Sequence, residues 1–295
     1  MIPGKTTDRF TLTAFIVLVL IGGSNAVAVR FSNLALPPFW GAAFRFFLAA
    51  LLFWAVVFLK RIPVPRGPAL KGAMLLGLLS IGVSYAFLYW ALVSVTASLT
   101  MIVVALAPLL TFFFAWAHGQ EEFRWRGLIG ALVAFSGIVI AVGDQIGSNV
   151  ALLPLLAVLG GAAGISEGSV VYKAYPKGDP IAVNAISVSI GAALLLVVSF
   201  VAGESWSLPN STSTWATIAY LVIIGSGILF YLFLFVLSRW TASAASYSTL
   251  LFPIATILLA SSIAGEAVPP RFLVGGAIVL LGVWVGAFSV QKKPS

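Results

Sequence analysis

The sequence predicts an all-α integral membrane protein with ten transmembrane helices, arranged as two inverted five-helix repeats. Three observations support this fold class. Of 295 residues, 61% are hydrophobic and only 8% are charged, whereas a soluble domain carries about 25% charged residues. Apolar stretches of about 20 residues, the length that spans a bilayer, follow one another along the chain. A pattern in the first half also recurs in the second half.

The ten apolar stretches account for nearly the whole chain. Proline, glycine and asparagine interrupt helices, and they separate the stretches at sites such as Pro37-Pro38 and Gly178-Asp179-Pro180. The connections are too short to hold a soluble domain. The predicted spans are 10–29, 39–59, 70–93, 97–117, 127–142, 150–172, 180–202, 215–237, 242–264 and 272–289.

The basic residues predict the orientation of these spans. With the N-terminus inside, 13 of the 16 lysines and arginines lie in inner segments, only Arg30 and Arg271 lie outside, and Arg45 lies within a span. Positive charge collects on the cytoplasmic side of membrane proteins. We therefore expect both termini to be cytoplasmic. The net charge of +8 is then explained by topology and contact with the lipid bilayer, and we expect no nucleic-acid partner.

The composition argues against metal sites and against enzymes. The chain has no cysteine and one histidine, His118, so we expect no metal and no cofactor. An intramembrane protease would need a buried serine–histidine pair or two buried aspartates, but His118 and the aspartates lie at span ends or in loops. An ion channel would need rings of polar or charged residues, and no such pattern is present.

An offset of 145 residues superposes the second half on the first. Thr96-Ala97-Ser98 then matches Thr241-Ala242-Ser243, and thirteen identities occur without a gap. Each predicted half, 1–145 and 146–295, holds five spans. Because five is odd, the halves enter the membrane from opposite sides, which is typical of transporters that alternate access around a central site. A structural duplication without transport is the alternative.

Several motifs resemble the EamA family of the drug/metabolite transporter superfamily. The first span contains GSNAVAVR at 23–30 and the second contains RFFLAALL at 45–52. The pattern of the third to fifth spans occurs in both halves, at Ala97, Pro108, Glu121, Gly130 and Gly137 and at Ala242, Pro253, Glu266, Gly275 and Gly282.

The resemblance implies a ten-helix exporter of small metabolites. Its central cavity would lie between helices 1–4 and 6–9, with helices 5 and 10 at the periphery. Within the family the chain is most similar to bacterial amino-acid exporters of the YddG type, which implies a bacterial inner membrane and export. One position departs from the family pattern, because Gly22 stands where tryptophan is usual.

Two charged residues lie within spans, where charge is costly. Arg45 could bind a substrate carboxylate, or it could reach outer headgroups or backbone carbonyls at a helix end. Glu167 is the one acid placed inside a span away from its ends. It could bind a substrate ammonium or carry a coupling proton. Alternatively, it pairs with Lys173 or Lys177, or faces cavity water.

Neutral polar and aromatic residues complete the candidate site. Tyr85 and Tyr89 are four residues apart and share one helix face, so they could form an aromatic wall. The alternative is that such residues mark interfacial belts or helix contacts. Matching prolines in spans 4 and 9 could kink these helices as gates or simply shape packing. The further polar candidates are Asn25, Asn184, Tyr231 and Tyr247, and the prolines are Pro108 and Pro253.

These inferences combine into a prediction of alternating-access export of amino acids, including aromatic ones. Export of lipophilic drugs or other metabolites is the alternative within the superfamily. The predicted partners are a small-molecule substrate and the lipid bilayer. The sequence leaves open whether the protein is a monomer or a homodimer, and whether a proton gradient drives transport.

Overall fold

A computed structural model describes residues 9–123, 125–142, 152–240, 242–263, 265 and 267–287, and within these residues the regular structure is helical throughout. The predicted boundary between the halves at 145/146 lies outside the described residues. The helices are α1 Arg9–Asn33, α2 Pro38–Leu59, α3 Pro68–Ala91, α4 Ala97–Ala117, α5 Trp125–Val142, α6 Leu152–Lys173, α7 Pro180–Val201, α8 Thr212–Arg239, α9 Ala242–Ile263 and α10 Pro270–Ala287.

Local sequence explains where several of these helices begin. Proline occupies the start of α2 and α7, where its fixed φ suits the helix and its missing N–H costs nothing. Side chains cap other starts: Thr96 Oγ1 accepts from the Leu99 N–H of α4 at 3.3 Å, and Asp179 Oδ1 accepts from the Ile181 N–H of α7 at 2.8 Å. The turn residues read from the sequence therefore act as helix boundaries.

The helices form a multi-pass membrane bundle. Seven of them, α1–α4 and α6–α8, are long and apolar enough to cross a membrane, and apolar stretches also occupy α5, α9 and α10. Large apolar side chains such as Leu132, Phe200 and Trp284 are exposed on the outside of the bundle. Water would penalise such a surface, whereas lipid tails accommodate it.

Helices α5 and α10 form a closely packed pair. A Cβ added to Gly137 would lie 2.7 Å from the Gly275 carbonyl oxygen, and one added to Gly282 would lie 2.6 Å from the Gly130 carbonyl oxygen. The matching glycines therefore let the two backbones approach closely. The other extensive helix pairs are α3 with α6, α2 with α7, α3 with α7, α4 with α9, α1 with α9 and α4 with α6.

Both halves contain a helix that widens into a π-helical segment near its middle. The segment in α3 covers Gly77–Val83 and the one in α8 covers Ile223–Ile228. An offset of 145 carries Gly77 to Val222, so the two segments occupy matching places in the repeats. Single π turns inside α-helices occur frequently at functional sites. The sequence gives no local signal for them.

The matching prolines, Pro108 and Pro253, lie in different backbone environments. Helix α4 is interrupted at residues 105–106, and Pro108 lies in the first turn of its second part. Helix α9 continues as a helix through Pro253. The repeat-related irregularity of this fold is therefore the pair of π-helical segments, while the gate role suggested for the two prolines stays a prediction.

Candidate functional site

A central cavity lies where the two repeats meet. It has a volume of about 120 Å³, and its walls come from α1, α3, α4, α6, α7, α8 and α9. Helices α2, α5 and α10 do not contribute to the lining residues. Most of the wall is apolar, and its polar side chains are Asn25, Ser80, Tyr85, Tyr89, Asn184, Ser248 and Thr249.

Aromatic rings form one wall of the cavity. Tyr85 packs edge-on against Phe46 of α2, with ring centroids 4.8 Å apart, and against Phe230 of α8 at 6.0 Å. Tyr85, Tyr89 and Phe230 line the cavity, while Phe46 supports them from behind. The aromatic wall expected from Tyr85 and Tyr89 is present, and the second repeat extends it.

The position that departs from the family pattern also lies in this wall. A Cβ added to Gly22 would be 2.2 Å from the Phe252 ring, and both residues line the cavity. The glycine of α1 therefore makes room for an aromatic ring supplied by α9. The sequence did not show which residue replaces the tryptophan. In the structure, the ring of Phe252 occupies the space beside Gly22.

Arg45 lies behind the aromatic wall and is fully buried, with 0% of its surface exposed. Its Nε donates to Ser226 Oγ at 2.9 Å, one terminal nitrogen donates to the Tyr89 hydroxyl at 3.1 Å, and the other donates to the Gly225 carbonyl at 2.7 Å. Its guanidinium also lies 5.5 Å from the Tyr85 ring centroid. Complete burial argues against the reading in which this side chain reaches the headgroups.

The partners of Arg45 are neutral, so its positive charge has no matching negative charge in the described contacts. Both Gly225 and Ser226 lie in the π-helical segment of α8. A buried charge without a counter-ion is expensive, and in membrane proteins it marks a functional site. The guanidinium therefore raises the electrostatic potential of the adjacent cavity wall without being exposed to it.

Two asparagines place unpaired amide atoms at the cavity. Asn25 is 7% exposed and donates to the Gly225 carbonyl at 3.1 Å, which leaves its Oδ1 buried without a partner. Asn184 is 2% exposed, and its Nδ2 is buried without a partner. An unsatisfied buried polar atom costs about 1–3 kcal/mol. Because both residues line the cavity, its wall contains one unused acceptor and one unused donor, although both atoms are buried in this structure.

Glu167 occupies a different place from the one the sequence suggested. It does not line the cavity, and its Oε1 lies 2.7 Å from Nε2 of His118 at the end of α4. The pairing with Lys173 or Lys177 also needs correction, because those ammonium groups donate to the carbonyls of Trp240 and Ser238 at 2.5 and 2.6 Å. Glu167 therefore joins α6 to α4 beside the cavity.

Two candidate residues remain, Tyr231 and Tyr247, and the structure describes the side chain of the first only. Tyr231 is 38% exposed, stacks on Phe235 at 6.3 Å between centroids and does not line the cavity. The side chain of Tyr247 lies outside the described residues.

Sequence reasoning missed Phe230, although the 145-residue offset carries Tyr85 to this position and could have found it. In the described part of the chain, no cluster of His, Asp and Glu could hold a metal ion.

Comparison with known proteins agrees with this architecture. The chain is 27% identical over 290 residues to the uncharacterized inner membrane transporter YedA of Escherichia coli K12, covering 95% of this chain and 92% of the relative. It is 26% identical over 254 residues to a biotin transporter of Salmonella typhimurium, covering 84% and 83%. A solved crystal structure shares the fold, with a TM-score of 0.70, 22% identity and coverage of 97% and 99%.

The family match covers both halves of the chain. The EamA-like transporter family matches residues 9–143 and 152–287, once for each repeat. The match agrees with the helical bundle, the central cavity and the internal repeat, and it points away from an enzyme. This chain belongs to the EamA-like transporter family of membrane transporters.

Proposed function

We propose that the protein is a secondary transporter that exports amino acids, including aromatic ones, by alternating access. Its ten helices would all span the membrane as two inverted repeats. The observation that carries the proposal is the cavity at the junction of the repeats, with an aromatic wall beside unpaired amide atoms of Asn25 and Asn184. An amino acid combines an apolar side chain with adjacent donors and acceptors, which suits such a lining.

The orientation proposed for the chain is both termini in the cytoplasm of a bacterium, within the inner membrane. The split of basic residues supports it, since 13 of the 16 lie in the segments that this topology places inside. The E. coli relative carries inner membrane in its name. Export as the direction of transport comes from the family resemblance.

Biotin is a second candidate substrate because one relative is a biotin transporter. Biotin also combines an apolar body with a carboxylate. Lipophilic cations are a weaker candidate, since the lining residues described for the cavity include no carboxylate. A cation would therefore meet aromatic faces and the positive potential of Arg45, and its charge would have no counter-ion.

Transport by purified protein in liposomes separates these candidates. Liposomes carrying the protein would be loaded with labelled phenylalanine, threonine, lysine, biotin or a lipophilic cation, and release would be compared with protein-free liposomes. We expect release of phenylalanine in excess of lysine and of the cation. Movement of the cation alone would overturn the amino-acid proposal, and movement of biotin alone would replace it with the second candidate.

A further inference from the structure

We propose that the cavity selects carboxylates with an apolar body, and that the Tyr89 hydroxyl is the group that binds the carboxylate. Arg45 is then a positioning residue that acts through Tyr89. This inference deepens the proposed function, because it names the charge of the substrate that the same cavity accepts. It differs from direct capture by Arg45, since Arg45 is absent from the cavity lining, whereas Tyr89, which is also 0% exposed in this structure, is one of the lining residues.

The direction of the Arg45–Tyr89 hydrogen bond carries the first step. Arginine has donors only, so at 3.1 Å the phenol oxygen of Tyr89 must accept. The proton of the same hydroxyl therefore remains available to another acceptor. Accepting a bond from a cation also polarises the hydroxyl and makes it a stronger donor. Because Tyr89 lines the cavity, a carboxylate oxygen there would be a well-matched acceptor.

The geometry around Arg45 fixes this arrangement. Ser226 and the Gly225 carbonyl hold two further nitrogens of the guanidinium, at 2.9 and 2.7 Å. The guanidinium is planar and its fork is rigid, so these two bonds orient the nitrogen that reaches Tyr89. The result is a buried cation whose effect reaches the cavity through one hydroxyl.

The other polar atoms of the cavity wall favour the same kind of substrate. The unpartnered Asn184 Nδ2 is a second donor, and the unpartnered Asn25 Oδ1 is an acceptor. No carboxylate is among the residues described as lining the cavity. An anionic end therefore meets donors and positive potential, an ammonium beside it meets the Asn25 oxygen, and a molecule with only positive charge meets no counter-ion.

The test compares ligands that share a phenyl ring and differ in charge. Purified protein in detergent would be titrated with L-phenylalanine, 3-phenylpropionate, L-phenylalaninamide and a lipophilic cation. The inference predicts that wild-type protein binds phenylalanine roughly tenfold or more tightly than phenylalaninamide, the magnitude of one charge-assisted hydrogen bond. Tyr89→Phe keeps the ring, removes the hydroxyl and should bring this ratio close to one.

Tyr85→Phe is the matched control, because it makes the same chemical change four residues away in the same wall. It should keep the carboxylate-to-amide ratio of the wild type even where overall affinity falls. Arg45→Lys should lower the ratio while leaving affinity for phenylalaninamide similar. An equal loss of affinity for acid and amide in Tyr89→Phe would overturn the inference, because the hydroxyl would then serve only packing.

The ligand set separates this inference from the proposed function. Binding of 3-phenylpropionate that depends on Tyr89, with no binding of phenylalanine, would support carboxylate selection and refute amino-acid transport. Phenylalanine transport with a ratio unaffected by Tyr89→Phe would do the reverse. Binding of the lipophilic cation alone would overturn both.

Discussion

The π-helical segments of α3 and α8 occupy matching places in the two repeats, yet they meet their neighbours in opposite ways. The α3 segment, Gly77–Val83, packs against α6 and α7 through small residues and backbone. The α8 segment, Ile223–Ile228, is held to α1 and α2 by the polar side chains of Asn25 and Arg45. We call the contact region of the α3 segment with α6 and α7 the sealed or α3 corner, and that of the α8 segment with α1 and α2 the polar or α8 corner. The same duplicated backbone thus forms both.

At the α3 corner, backbone approaches backbone. A Cβ on Gly77 would lie 2.3 Å from the Ser187 carbonyl oxygen of α7, and one on Gly168 of α6 would lie 2.1 Å from Ser80 Oγ. The Ser187 hydroxyl also donates to the Ala73 carbonyl at 2.8 Å. This corner therefore depends on the absence of side-chain volume.

At the α8 corner, the size pattern is reversed in one of its two contacts, the contact with α1. Pro38 and Pro180 begin α2 and α7, an offset of 142, which aligns Arg45 with Ser187. The family matches begin at 9 and 152, an offset of 143, which aligns Asn25 with Gly168. In the contact with α1, the larger residue Asn25 lies on the flanking helix and Gly225 lies within the π-helical segment, the reverse of Gly168 and Ser80. The contact of Gly225 with Arg45 keeps the same order as that of Gly77 with Ser187.

The two corners show how a duplicated backbone can form an asymmetric site. Both corners need one small partner at the contact, but the polar partners at the α3 corner are serines, whereas the α8 corner holds the larger polar side chains of Asn25 and Arg45. Its Asn25 lines the cavity, and its Arg45 reaches Tyr89 in the wall. The buried cation is thereby placed on one side of a nearly symmetric scaffold, while the other side combines tight packing with the cavity-lining Ser80 and Asn184.

The largest effect is expected for a side chain added to the sealed corner. Gly77→Ala would push its Cβ against the backbone of α7, which cannot rotate away. Overpacking costs about 1–3 kcal/mol and occasionally more, so we expect a clear fall in melting temperature and in the yield of monodisperse protein. The measurement is thermal unfolding in detergent.

Gly227→Ala, in the π-helical segment of α8, is the control for that substitution. Its Cβ would meet the end of the Leu52 side chain at 3.2 Å, which can shift, and alanine gains up to about 1 kcal/mol of helix propensity. We expect near wild-type stability. Equal melting temperatures for the two variants would remove the distinction between a sealed and a polar corner.

An intermediate effect is expected from exchanging the size pattern at the polar corner. Gly225→Ser would place its Cβ 2.8 Å from Asn25 Oδ1 and 3.3 Å from a guanidinium nitrogen of Arg45, so it should destabilise the protein. Adding Asn25→Gly recreates the Gly168–Ser80 pair of the other corner. We expect the double variant to regain stability, with a coupling free energy of about 0.5–3 kcal/mol.

Thermal unfolding of the wild type, both single variants and the double variant measures this coupling. Transport of phenylalanine should stay impaired in the double variant, because the Asn25 oxygen is missing. Additive losses of stability would contradict the proposed equivalence of the corners, whereas recovered transport would show that Asn25 is not needed at the cavity.

Sequence alone reaches much of this architecture, for physical reasons. Apolar length and the proline and glycine at helix ends act locally, and the 145-residue offset can be read along the chain, so the helices and their repeats are predictable. The sequence also singles out Asn25, Tyr85, Tyr89 and Asn184, which line the cavity, because polar side chains within spans need partners. The π-helical segments were not found, since they arise from contacts between distant helices.

The sequence also misplaced Glu167, again because its partner comes from a helix that is distant in the chain. A carboxylate inside a span indicates a special environment, but which histidine or lysine it meets depends on how α4 and α6 pack. The neighbouring lysines were nearer in sequence, whereas His118 is nearer in space at 2.7 Å. Phe252 beside Gly22 is a similar case, because a gap left by one helix is filled by a ring from another.

The smallest effect is expected where α4 and α6 meet beside the cavity, at the His118–Glu167 pair. The two side chains are 42% and 27% exposed, and ion pairs with this exposure contribute about 0–1 kcal/mol. Glu167→Gln should therefore lower the melting temperature only slightly. Because Glu167 does not line the cavity, we also expect an unchanged dissociation constant for phenylalanine, measured beside the exposed control Glu122→Gln.

Transport by Glu167→Gln under an imposed pH gradient then tests the remaining role of this carboxylate. A proton site must be able to lose and regain charge, and glutamine cannot, so a coupled carrier would lose its response to the gradient while still binding substrate. A gradient response equal to that of Glu122→Gln would remove Glu167 as the proton site. A large fall in substrate affinity would instead contradict its placement outside the cavity.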